Sequence, residues 1–341
     1  MLAVTGGLAL AGPIAARAGQ IAQTSGAQAG PADPVAVPDA ASLPPGAMLI
    51  GIAIWLVPSA ICLGVCWLLG LLRPGGLDRP GPRRVEGLSA WGWFAVGLGL
   101  WVLQQAGAVI AGVVAGIVVA SGDGGATGGA GSKAGESAEL LMLGLGTAGT
   151  FVIAIPLAIV AMRLVSSWAP GAGLRARWID LPLGVAGLLL IGPLVLLVNT
   201  LIVWVVSLFD GPPEQITHDL LRMLAEGEGG LGRWGIVFGA VVGAPIVEEV
   251  IFRGFLQSAI RRLVGSAWPA IFIASAVFAL VHWWSLAGGR HALVVIFALS
   301  LGLGAAFERT KSLGVPIVIH MLFNASQISL VLLMGQGEAA P

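Results

Sequence analysis

The sequence predicts an all-α protein, a polytopic transmembrane helix bundle of about eight spans. The chain has 341 residues, of which 57% are hydrophobic and only 10% are charged, whereas roughly 25% are charged in an ordinary soluble domain. The apolar residues gather into long stretches, and about 20 apolar residues in a helix cross a hydrocarbon core of ~30 Å. The formal net charge is +0 and no dense basic cluster occurs, so we expect the lipid bilayer as a partner and no nucleic acid.

The N-terminal 47 residues are predicted to be a signal-like apolar segment followed by a disordered linker. The run from Met1 to Ala18 ends in a small-residue pattern that is typical of a cleavage site, although no Lys or Arg precedes the run. A cleaved signal peptide and a short retained anchor therefore both remain open. The stretch from Gly19 to Gly46 is rich in Ala, Pro, Gly, Gln and Ser and has little to bury, which favours disorder.

The rest of the chain divides into four N-terminal spans, in residues 48–232, and a core of four further spans, in residues 233–336. The predicted spans are Met48–Leu72, Ala90–Ala120, Leu140–Val165, Leu181–Phe209, Gly235–Ile260, Ala267–Leu286, Ala292–Phe307 and Leu313–Met334. Most Lys and Arg residues fall in alternate connections, and such connections stay on the cytoplasmic side. We therefore expect an integral, multi-pass protein of the cell membrane.

Two adjacent carboxylates, Glu248 and Glu249, lie well inside the fifth predicted span. The other acidic residues lie in polar connections, in tails or at the ends of spans. An ionisable side chain at the bilayer centre costs about 3 kcal/mol on insertion scales. Such a residue is a functional-site hypothesis by default, and the alternative is a buried structural pair tied to Arg253.

The histidines that lie inside spans are His282 and His320, and at ~1.5 Å per residue both fall at a depth similar to that of Glu248. Residues four apart share one helical face. This spacing relates Glu249 to Arg253, Phe278 to His282 and His320 to Asn324, as the sequence shows. We interpret Glu249 and Arg253 as a structural ion pair. Glu248 then points roughly 100° away, toward His282 and the face of His320 and Asn324.

These three motifs, Glu-Glu-x-x-x-Arg, Phe-x-x-x-His and His-x-x-x-Asn, resemble those of the CPBP family, the CAAX-type intramembrane proteases and bacteriocin-processing enzymes also called the ABI family. The resemblance covers roughly Arg233 to Met334. It implies a peptidase that hydrolyses a peptide bond in a membrane-associated protein or peptide. It also implies that Glu248 activates a water molecule with the help of His282, and that His320 and Asn324 stabilise the oxyanion. Glu249, Arg253 and Phe278 would support the site.

Descriptions of this family often include the word metalloprotease, so zinc is an open alternative. Glu248, His282 and His320 would then supply a His₂Glu site with one open position. However, the sequence has no His-Glu-x-x-His spacing, and related enzymes have been interpreted as glutamate-dependent without a metal. We therefore expect no metal cofactor, with zinc as the alternative.

Two other classes of function remain open at this stage. A transporter coupled to ions or protons could use Glu248 as a carrier and the histidines as a relay. A non-catalytic bacteriocin-immunity or binding protein could keep the fold and the motifs. The sequence shows no internal repeat that relates the first spans to the last, and such repeats are common in carriers.

Overall fold

The computed structural model describes residues 45–73, 75–79, 81–121, 133–209, 230–286 and 290–337. The predicted signal-like segment and almost all of the predicted linker lie outside the described residues. The same holds for parts of the two long connections that precede the third and fifth predicted spans.

The described residues form eight long helices and no strand. The helices are α1 (Pro45–Leu68), α2 (Ala90–Ser121), α3 (Lys133–Trp168), α4 (Asp180–Ser207), α5 (Leu231–Val264), α6 (Ala267–Leu280), α7 (Ala292–Thr310) and α8 (Gly314–Gly337). Six of them are long and apolar enough to cross a membrane, and α6 and α8 contain shorter apolar helices. The predicted all-α class and the polytopic architecture are confirmed.

The sixth helix ends earlier than the predicted span, which ran to Leu286. In the structure α6 ends at Leu280 and a short 3₁₀ turn, Trp283–Ser285, follows. The backbone N–H of His282 donates to the carbonyl of Ala279, three residues back, which tightens the chain at the helix end. His282 therefore lies in a turn and not within a regular helix.

Helix α5 is the centre of the bundle. Over its most apolar 18 residues 67% are buried, whereas no other candidate span among the described residues exceeds 39%. The outer helices carry many large apolar side chains on their surface, among them Ile54, Ile110 and Leu189. In a bilayer these surfaces face lipid, so the apolar exterior and the partly polar interior are both expected.

Glycines allow α5 to lie directly against α3. A Cβ on Gly144 would collide with the backbone of Gly232, and a Cβ on Gly235 would collide with the backbone of Gly144. Small residues at such crossings let two membrane helices approach until their backbones touch. This contact fixes the start of α5 against its neighbour.

The connection between α1 and α2 packs against the bundle through Arg83, which is 2% exposed. Arg83 Nη2 lies 2.8 Å from Glu308 Oε1 on α7, and Arg83 Nη1 donates to Ser258 Oγ on α5 at 2.8 Å. Gln257 Nε2 also donates to Glu308 Oε1, at 3.0 Å. In sequence, Arg83 is simply one of the Lys and Arg residues of a connection predicted to be cytoplasmic. The structure shows that it joins three separate parts of the chain.

We expect Arg83→Ala to destabilise the protein by about 3–5 kcal/mol, because it leaves the buried Glu308 carboxylate without its cation. The matched control is Arg84→Ala, since Arg84 is exposed and surface substitutions usually stay within about 0.5 kcal/mol. Thermal unfolding in detergent, followed by tryptophan fluorescence, measures both. Equal stability of the two variants would contradict the prediction.

Candidate active site

Helix α5 departs from regular α-helical geometry on both sides of the carboxylate pair. Residues Gly239–Gly243 and Val250–Gln257 are π-helical, and the short α-helical segment Ala244–Glu249 lies between them. A π-helical turn bonds residue i to residue i+5 and therefore contains more residues than an α-helical turn. Such turns occur frequently at functional sites, where they re-aim side chains.

Both carboxylates are buried, and Glu249 makes the polar contacts. Its Oε1 lies 2.9 Å from His320 Nδ1 on α8, and its Oε2 lies 3.1 Å from Arg253 Nε. Arg253 in turn donates from Nη2 to Ser300 Oγ on α7 at 2.9 Å. A single carboxylate thus links α5 to α8 and, through Arg253, to α7.

The predicted contact between Glu249 and Arg253 is present, but the carboxylate that meets His320 is Glu249 and not Glu248. We attribute the difference to the π-helical turns. The sequence prediction assumed roughly 100° per residue along a regular helix. Each wider π-helical turn changes the direction in which the neighbouring side chains point. Within the described chain, Glu248 Oε1 is buried and has no hydrogen-bond partner.

Phe278 lies at the meeting point of the charged and aromatic groups. The Arg253 guanidinium lies 4.4 Å from the centroid of its ring. Its ring centroid is 4.8 Å from that of His282 and 6.0 Å from that of His320. Cation–π and edge-to-face contacts of this kind fix side-chain orientation without using hydrogen bonds. Phe278 therefore contacts both imidazole rings with one aromatic side chain.

The hydrogen bonds of the two histidines indicate which ring nitrogen carries the hydrogen. His282 Nδ1 lies 2.6 Å from the carbonyl oxygen of Phe278, and because a carbonyl can only accept, Nδ1 is the donor. His320 Nδ1 faces the carboxylate of Glu249 and donates in the same way. In the neutral form of each ring, Nε2 then carries the lone pair that accepts a proton or a hydrogen bond.

Asn324 is 1% exposed and contacts α5 rather than the other predicted site residues. Its Nδ2 donates to the backbone carbonyl of Ala240 at 2.9 Å, in the first π-helical turn. The structure thus gathers Glu249, Arg253, Phe278, His282 and His320 into one cluster. Glu248 and Asn324 lie on the same helices, α5 and α8, and no described hydrogen bond joins either of them to that cluster.

Ser300 is the polar residue of this cluster that sequence reasoning missed. It is 0% exposed and accepts the hydrogen bond from Arg253. A serine inside an apolar span is usually interhelical packing or hydrogen bonding. Its depth in the seventh span, close to that of the carboxylates, is the sequence signal that could have identified it.

The zinc alternative can be compared with the positions of its predicted ligands. Among the residues that the structure describes, no group of three or more His, Cys, Asp or Glu side chains is placed to hold a metal ion. The expectation that the protein uses no metal cofactor stays a prediction. Glu249, which does contact His320, uses its other oxygen for Arg253.

A bundle of membrane helices that buries carboxylates, imidazoles and an amide together is typical of membrane proteins with a polar functional site inside the bilayer. Residues 230–326 match the family model described as type II CAAX prenyl endopeptidase Rce1-like. The predicted resemblance to the CPBP family is confirmed over this region, which contains all the predicted site residues. No curated protein and no solved structure matches the chain. At the level of the family, the match supports a CAAX-protease-like endopeptidase of the membrane.

Proposed function

We propose that this protein is an intramembrane endopeptidase in which Glu248 activates the water that hydrolyses the peptide bond. The observation that carries the proposal is the placement of Glu248. It is 1% exposed inside α5 and one residue away from the Glu249–His320 contact, and its Oε1 has no partner in the described chain. A carboxylate that is not tied to a cation or a donor is available to accept a proton.

In the proposed reaction, Glu248 takes one proton from water while the water oxygen bonds to the carbonyl carbon of the substrate. His282 supports this step as a hydrogen-bond acceptor at Nε2, because its Nδ1 already donates to Phe278. The carbonyl π bond opens and its oxygen becomes an oxyanion. The C–N bond then breaks, and the proton held by Glu248 goes to the leaving amine. The products are a carboxylic acid and an amine.

In the proposed reaction, His320 and Asn324 stabilise the oxyanion. Neutral His320 has its hydrogen on Nδ1, so it donates to the oxyanion from Nε2 only after it gains a second proton. The carboxylate of Glu249 at Nδ1 would stabilise that imidazolium. Asn324 uses one Nδ2 hydrogen for Ala240, and the second hydrogen is the one that would reach the oxyanion.

We propose a membrane-associated protein or peptide as the substrate and the cell membrane as the location. The family match to prenyl endopeptidases makes lipid-modified CAAX proteins the first class to test. The decisive experiment compares the peptide termini in membranes of cells that produce the wild-type protein or Glu248→Gln. New termini that appear only with the wild type support the proposal. Identical termini, with both proteins present at equal levels, contradict it.

The proposed reaction uses no protein-bound metal. We expect activity to survive long exposure to a strong chelator, because Glu248 and the two histidines act as a base and as hydrogen-bond partners. The purified protein should also carry much less than one equivalent of zinc by elemental analysis. Inactivation by the chelator that added zinc reverses, together with stoichiometric zinc, would show the metal-dependent alternative to be right.

A further inference from the structure

The backbone carbonyl of Ala240 lacks both of the donors that a regular α-helical or π-helical turn of α5 would offer it. In a regular helix this carbonyl would accept from Ala244, but Ala244 donates to Gly239, five residues back. In the same π-helical register the next donor would be residue 245, which is Pro245 and has no N–H. Ala240 is 0% exposed, so a missing donor at this carbonyl would be costly.

Asn324 supplies the missing donor from another helix. Its Nδ2 lies 2.9 Å from the Ala240 oxygen, which fixes the amide with nitrogen toward the carbonyl because two oxygens would repel. Pro245 cannot donate to this carbonyl, and Asn324 on α8 donates to it instead. Ala240 lies N-terminal to the carboxylates in α5, so this contact holds the part of the helix that leads to them.

We infer that Asn324 is a positioning residue: by bonding to Ala240 it holds the π-helical turn Gly239–Gly243 in place, and this turn brings Glu249 to His320. The two contacts share α5 and α8. Asn324 fixes one turn of α5 against α8, and Glu249 meets His320 on α8 farther along α5. The effect on catalysis rests on the proposed function, whereas the effect on folding and on the Glu249–His320 contact does not.

A double-mutant cycle tests the inference without a substrate. Asn324→Ala should lower the Tm by about 5 °C, because it leaves a buried carbonyl unsatisfied. In a Pro245→Ala background residue 245 regains an N–H that can donate to Ala240. In that background, Asn324→Ala should lower the Tm by less than half as much as it does in the wild type. Additive losses in Tm would overturn the inference.

The matched control is Ser59→Ala. Ser59 is also buried and donates to a backbone carbonyl of a neighbouring helix, that of Pro193 on α4, at 3.0 Å. Its loss should lower the Tm less, because the Pro193 carbonyl lies in regular α-helix and keeps an intrahelical donor, and the loss should be additive with Pro245→Ala. If Asn324→Ala alone does not fold, recovery of folded protein in the double variant supports the inference. Failure of both to fold overturns it.

A spectroscopic measurement separates positioning from a purely local capping role. In protein labelled with nitrogen-15 histidine, the ring N–H of His320 can be assigned by its loss in His320→Gln. We expect this signal to shift in Asn324→Ala and to stay in place in Ser59→Ala, although both variants lose a hydrogen bond. An unchanged His320 signal in folded Asn324→Ala would overturn the positioning role.

Discussion

Glu248→Gln is expected to abolish peptide hydrolysis, with a loss of at least about 10²–10⁴-fold, the range associated with a general base. The amide keeps the shape of the side chain but cannot accept the proton from water. Because Glu248 forms no ion pair in the described chain, the substitution removes no partner. The Tm should therefore stay near that of the wild type or rise slightly. Turnover and thermal unfolding on the same preparation measure both effects.

Glu249→Gln is the matched comparison, since it makes the same chemical change one residue away. It removes the carboxylate that contacts both His320 and Arg253, so the buried Arg253 charge loses its contacting partner. We expect a large loss of stability together with the loss of activity. If instead Glu249→Gln folded normally and were inactive, and Glu248→Gln kept its turnover, Glu249 would be the base.

The architecture could be predicted because the bilayer imposes it. Backbone groups in hydrocarbon must bond within their own segment, so long apolar stretches become helices. The same medium makes ionisable residues inside a span informative, which is why Glu248, Glu249 and His320 could be singled out as candidates from the sequence. Each of them is indeed buried.

The details of the site could not be predicted because they depend on the register of α5. Sequence spacing assumes a constant turn, and nothing in it showed that π-helical turns precede and follow the carboxylates. The pairing of Glu249 with His320 and the bond from Asn324 to Ala240 both depend on that geometry. Arg83 was missed for a different reason. Its neighbours in sequence are those of a polar connection, and only the fold brings Glu308 to it.

Arg253→Ala is expected to remove most of the folded protein. Arg253 is 1% exposed, and it is the cation paired with Glu249. Its loss would leave two adjacent carboxylates, Glu248 and Glu249, buried without a cation. Breaking a buried pair by removing one partner costs about 3–5 kcal/mol, a large part of a total stability of about 5–15 kcal/mol. The yield of monodisperse protein and its Tm measure the effect.

Two further variants separate the charge of Arg253 from its other contacts. Ser300→Ala removes only the acceptor of the Arg253 Nη2 hydrogen bond, so it should cost about 1–3 kcal/mol and leave a folded protein. The double variant Glu249→Gln with Arg253→Met removes both charges and should recover part of the yield that Arg253→Ala loses, because no unpaired charge remains from this ion pair. It should stay inactive, since His320 no longer faces a carboxylate. A fully folded Arg253→Ala protein that lacks activity would instead assign Arg253 a direct part in the reaction.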